Sequence, residues 1–190
     1  MWIMPEFAWV ELDNVLWREL WQGFVDDFGF RRTGSPAITE PVPSVVWALP
    51  PVGTPDAPFP DAARPVAQLV CDVLRECVEY WDSMVHHDGV HPSWQYRPHR
   101  VMDIDELNGW EYSHYPNGDY MIFVSKDHTF GIVADPFEET ICFFGASAVA
   151  AVTALNDGVL TNMLRRDGTP VADNPHRQAP NRPHATQFET

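Results

Sequence analysis

From His91 onward the apolar residues come in short runs: Trp94-Gln-Tyr-Arg97, Trp110-Glu-Tyr112, Asp119-Tyr-Met-Ile-Phe-Val124, Phe130-Gly-Ile-Val133 and Thr140-Ile-Cys-Phe-Phe144. Turn residues divide them, notably Pro116-Asn117-Gly118 and Asp135-Pro136. β-branched and aromatic residues bounded by such punctuation read as strands. Parallel neighbours would need crossovers of roughly a dozen residues or more, which the gaps after Tyr112 do not hold, so closely spaced strands of this kind imply an antiparallel meander.

Helical periodicity frames this sheet. Leu12, Leu16, Leu20 and Phe24 recur at i+4 between Glu11 and Phe28, widened by Trp17, Trp21 and Phe28, with Asp13 placed to cap the start and Gly29 to end it. A second apolar face runs through Val66, Leu69, Val70, Val73, Leu74, Cys77, Val78, Trp81 and on to Met84, behind Pro65 at the N-terminal turn. A third helix is expected from Ser147, carrying Val149, Val152, Leu155, Val159, Leu160 and Met163, with Arg165 and Arg166 in its last turn. Between the first two helices, only Ser44 to Leu49 interrupts a Pro- and Gly-rich stretch with a strand pattern. The expected class is α+β: an antiparallel β-meander of about five or six strands with two or three helices packed on it. Residues 1–166 form one domain in this reading, and 167–190, poor in large apolar residues, form a disordered, mobile tail.

At 190 residues, 45% hydrophobic, the chain can bury a sizeable core. No stretch reaches the roughly 20 apolar residues that span a bilayer, and the N-terminus has no basic leader, so a cytoplasmic protein without membrane contact is expected. The 3 cysteines contain no Cys-x-x-Cys pair and read as buried apolar residues. The 27 acidic residues against 12 basic ones leave a net charge of -15, a field that repels nucleic acid and anionic membranes and attracts basic partners.

Taken with Gly131 and with Pro136-Phe-Glu138-Glu-Thr140-Ile-Cys-Phe-Phe-Gly145, the segment Pro116-Asn-Gly-Asp119-Tyr-Met-Ile-Phe-Val124 resembles the C-terminal signature of an uncharacterised bacterial family common in actinobacteria, the domain of unknown function numbered 2716. The resemblance extends to the aromatic first helix and to Asp88-x-x-His91-Pro-Ser-Trp94-x-Tyr96-x-Pro98. It implies a fold and no established reaction. Gly89 and Val90 stand where the family has a Trp-Gln pair, and Asp135 and Phe137 where a His and a Trp are usual. A site built on those family residues is altered in this chain. The layout is also similar, more loosely, to SUKH-type toxin-immunity domains.

Candidate chemistry is sparse. His86-His87-Asp88-x-x-His91, with His99, Asp103, Asp105 and His114 beyond, could hold a divalent metal, and Asp88 with His91 could act as an acid and base pair; the site would centre on His87, Asp88 and His91. Against this stands a structural reading, histidines at a helix end with no His-Glu-x-x-His motif, which outweighs it. No Gly-x-Ser-x-Gly elbow, phosphate-binding loop or reactive cysteine context is present, so no catalytic residue and no cofactor is assigned. Asn117, Gly118 and Asp119 read as tight-turn chemistry, alongside the motif residues Pro136 and Glu138.

Aromatics ringed by carboxylates suit an interface for a basic protein. Trp94, Asp103, Asp105, Glu106, Trp110 and Glu111 are the candidate partner-binding residues. The leading expectation is an acidic protein-binding domain, such as an immunity or inhibitor protein that occludes a basic toxin or nuclease, and an enzyme is the less favoured reading. The alternatives are the metal-dependent or small-molecule enzyme at His87, Asp88 and His91, and a nucleic-acid mimic.

Overall fold

The computed structural model describes residues 7–50, 63–101, 114–116 and 118–171. In chain order they form β1 (Trp9–Glu11), α1 (Leu16–Phe28), β2 (Ser44–Ala48), α2 (Arg64–Cys77), β3 (Met84–His87), β4 (Trp94–Tyr96), a 3-10 turn (Pro98–Arg100), β5 (Met121–Val124), β6 (Gly131–Asp135), β7 (Thr140–Phe144), α3 (Ala146–Leu155), β8 (Met163–Arg166) and β9 (Thr169–Pro170). The strands make one 9-stranded sheet in the order β1-β4-β3-β5-β6-β7-β2-β8-β9, every neighbour antiparallel. The α+β class and the meander are as expected, with β5, β6 and β7 consecutive. The strand number is corrected upward, because β1, β3, β8 and β9 are segments of only two to four residues, too short to show a strand pattern of their own.

Alternation along each strand divides the core. Val45, Met84, Tyr96, Met121, Phe123, Ile132, Ile141 and Phe143 join the cluster that includes α2 and α3, while Val46, Val85, Ile122, Val124, Val133, Cys142 and Phe144 join the one that includes α1. The central strands are therefore covered on both faces. This is why Met-Ile-Phe-Val and Thr-Ile-Cys-Phe-Phe read as unbroken apolar runs rather than alternating ones. Full burial of a side chain such as Phe123 or Phe143 contributes about 1.5–3 kcal/mol.

Asp13 caps α1, its Oδ1 accepting the N–H groups of Val15 and Leu16 at 2.9 and 3.0 Å, and Gly29 ends the helix at φ 59°. Leu12 precedes the cap and donates its N–H to the Ser93 carbonyl, so the helix begins later than its periodicity suggests. The second helix is corrected more sharply. It stops at Cys77, Val78 turns extended at φ -105° and ψ 129°, Trp81 is 66% exposed, and Met84 opens β3.

The third helix begins at Ala146, after Gly145, rather than at Ser147, and ends at Leu155. Asn156 closes a loop there, accepting the Leu160 N–H and donating to its carbonyl. Met163, Arg165 and Arg166 accordingly lie on a strand and not in a last helical turn. Asp167 and Gly168, both at positive φ, then turn β8 into β9, so pairing continues past Arg166.

Candidate functional site

Strand register brings the motif residues to one end of the sheet. His87 pairs with Ile122, Met121 with Ala134, and Asp135 with Thr140, so the exit of β3, the entry of β5 and the β6–β7 turn lie side by side. Asp88 organises the first of these. Its Oδ1 accepts the N–H groups of Val90 and His91 at 2.8 and 2.7 Å, and its Oδ2 meets His91 Nδ1 at 2.6 Å. Burial works against the Asp88 carboxylate, but those amides and the His91 ring outweigh it and hold its pKa below the usual value.

Gly89, at φ 78°, bends the same turn, and a Cβ there would touch the rings of Trp21, Phe30 and Tyr120 at 3.7 to 3.9 Å. Those rings continue into a ladder: Trp21 to Phe30 at 5.1 Å, Phe30 to Tyr120 at 5.0 Å and Tyr120 to Phe137 at 5.7 Å. The Tyr120 hydroxyl donates to the Arg32 carbonyl at 2.7 Å.

Beside the ladder, Asp135 Oδ1 accepts the N–H groups of Phe137 and Glu138, shaping the turn that carries Pro136. Burial raises the Asp135 pKa. Arg165 reaches in from β8 with a bidentate contact to Glu138 at 2.8 and 2.9 Å and a bond to Glu40 at 2.6 Å. Glu138 also accepts from Ser35 and Thr140. Its polar atoms are engaged in clamping β8 and the Ser35 loop to the β6–β7 turn.

The histidine cluster is split by the two-residue period of a strand. His86 faces Trp9 and Phe123, and His87 faces Trp21 and Phe24 on the opposite side. His87 Nδ1 shares a 2.5 Å hydrogen bond with Ser93 Oγ, while His114 Nε2 meets the Tyr96 hydroxyl at 2.6 Å. His86 Nδ1, His87 Nε2 and His114 Nδ1 have no hydrogen-bond partner among the described residues. Burial pushes His86 down to about 4, and His87 and His114 to about 3.

The structure thus brings Asp88 and His91 together and leaves His87 turned into the α1 side of the core. Among the described residues no three His, Cys, Asp or Glu side chains converge as a metal-ligand set. Burial raises the thiol pKa of Cys71, Cys77 and Cys142, which makes these cysteines poor nucleophiles.

Of the expected partner-binding residues, Trp94 lies half-buried on β4 beside β1 and β3; the motif residue Asp119 is half-buried just before β5. Asp103, Asp105, Glu106, Trp110, Glu111 and the turn residue Asn117 fall outside the described residues. Gly118 takes the positive φ, 89°, expected of a tight turn.

Sequence reasoning missed an exposed aromatic pair between α2 and β3. Tyr80 and Trp81 are 52% and 66% exposed, their rings T-shaped at 4.5 Å, with the Arg100 guanidinium 5.4 and 5.3 Å from their centroids. Trp81 lies at i+4 from Cys77, so periodicity alone assigns it to the helix face. The flanking acids Glu79 and Asp82 were the available signal against that assignment.

The chain belongs to the family described as Protein of unknown function (DUF2716), whose model matches residues 11–149. A curated relative, the Uncharacterized protein YxiI of Bacillus subtilis (strain 168), is 34% identical over 71 residues, covering 37% of this chain and 44% of that protein. The chain thus matches less than half the length of this relative. No solved structure matches the chain.

Proposed function

We propose that this member of the family is a cytoplasmic binding protein for a basic protein, working as an immunity or inhibitor protein does by covering a cleft that otherwise grips nucleic acid. The observation that carries the reading is the charge, -15, together with how it is distributed. Glu40 and Glu138 are matched by Arg165, and Asp88 by His91 and backbone amides. Glu19, Asp26, Glu76, Glu79, Asp127, Glu139 and Asp157 are exposed. Glu40, Glu138 and Asp88 are thus held by local partners and the exposed carboxylates project the field, an arrangement that steers a basic partner and speeds its capture. Carboxylates would take the place of phosphates at the partner's cleft.

The test is affinity capture from the native cell with the full chain, at about 0.01 M and then about 0.15 M salt, across which the screening length falls from about 30 to about 8 Å. Recovery of a basic protein whose association slows with salt supports the reading. Recovery of no basic protein at low salt overturns it.

One observation favours a second reading, a metal-dependent or small-molecule enzyme: the 2.6 Å contact that orients His91 against Asp88, with 34% and 12% of the two side chains exposed. Stoichiometric zinc, manganese or iron in the purified protein, lost in His91→Ala, would select it.

A further inference from the structure

We infer that Tyr80 and Trp81 are the anchor on which the basic partner docks, an assignment that rests on the binding function proposed above. The pair sits on a hydrogen-bonded turn. The Asp82 N–H closes onto the Glu79 carbonyl at 2.9 Å, and Asp82 Oδ1 accepts the Ser83 N–H at 2.7 Å and Lys126 Nζ at 2.9 Å. The rings are held as well. Each constrains the other edge to face, Arg100 lies over both, and His99, its Nε2 2.7 Å from the Val78 carbonyl, packs at 5.4 Å from Tyr80. Large aromatics fixed before binding lose little conformational freedom when a partner covers them. Trp, Tyr and Arg are also the residue types that dominate interface energetics.

Charge commits the surface to one kind of occupant. Exposed Glu76 and Glu79 lie at the end of α2 and in the turn, and Asp82 follows the rings. Asp127 stands close enough to act on the Asp82 carboxylate. Lys126 is already paired with Asp82, and Arg100 lies over the aromatic rings. A partner that offers an apolar or aromatic recess rimmed by Lys and Arg matches this surface. The geometry separates it from the motif-bearing sheet end, where Phe137 is 71% exposed.

The experiment uses the full chain with a photoreactive benzoylphenylalanine at position 81 in native cells, and titration of the recovered basic protein, once purified, against wild type, Tyr80→Ala/Trp81→Ala and Phe137→Ala. The substituted side chains are exposed, and an unchanged melting profile confirms the fold of each variant. The expected result is a crosslink from position 81 to a basic protein, with affinity weakened at least about tenfold in the double variant and by less than about threefold in Phe137→Ala. Unchanged affinity in the double variant, or loss confined to Phe137→Ala, overturns the surface assignment and leaves the binding function standing. A crosslink from position 81 into residues 102–113 of the same chain overturns it too, because the rings are then covered internally. If wild type recovers no basic protein at low salt, both the surface and the binding function fail.

Discussion

At Gly131 a methyl group would lie 2.5 Å from the Phe123 carbonyl oxygen and 2.6 Å from the Phe144 ring, between two strands that cannot both retreat. Gly131→Ala should therefore destabilise the fold by about 2 kcal/mol or more, measured by denaturant titration, with little change in m-value. Arg165 makes the complementary case. Its side chain is 18% exposed and its partners Glu40 and Glu138 are 4% and 19% exposed, so Arg165→Met leaves two carboxylates without their cation. A loss of about 3 kcal/mol is expected. Lys126→Met, which breaks a pair 51% and 62% exposed, should cost less than about 1 kcal/mol. At this scale the sequence was readable where a residue acts on its neighbours. Asp13 and Gly29 cap α1 as their types predict, because a cap needs only the adjoining turn. Trp81 was misread because its i+4 spacing from Cys77 mimics a helix that had already ended at Cys77.

Among the elements, β3 carries the clearest dependence on pH. His86 and His87 lie on it fully buried, and His114 packs against its neighbours, with folded values of about 4, 3 and 3 against an unfolded value of 6.5. Because the folded values are depressed, the unfolded chain takes up protons first. Their stabilisation is present above pH 6.5 and is lost as pH falls toward about 4 for His86 and about 3 for His87 and His114. Each group contributes up to about 1.4 kcal/mol per pH unit. Asp88 and Glu138, with lowered values, add to the loss at lower pH, whereas Asp135, with a raised value, opposes it. Unfolding free energy measured from pH 7 to 5 should fall steeply, and His86→Leu should reduce the slope by close to one proton. An unchanged slope would contradict the burial described for His86. The β5 to β7 meander was legible because its runs and turns are contiguous. The place of β2 beside β7, and of β8 beside β2, was not, since those pairings join segments about a hundred residues apart and leave no local trace.

At the largest scale the described residues form a layered α+β structure in which Arg165 holds the half-buried Glu40 and Glu138 while several other carboxylates, among them Glu76 and Glu79, are exposed. Its family and fold class were readable from composition and motif. The exposed aromatic pair was not, because exposure depends on where helices stop and which strands cover them. The motif residues Gly131, Asp88 and Glu138 pack strands closely, shape turns and clamp elements, so these signature positions serve the architecture of the sheet end. The exposed aromatic pair lies apart from it. The most direct measurement is capture of partners by the full 190-residue chain from its native cell at about 0.01 M salt, repeated at about 0.15 M. Recovery of a basic protein whose association rate drops at least about tenfold with the added salt is the predicted result. Recovery of only acidic or neutral proteins, or of a basic one with a rate indifferent to salt, would contradict it.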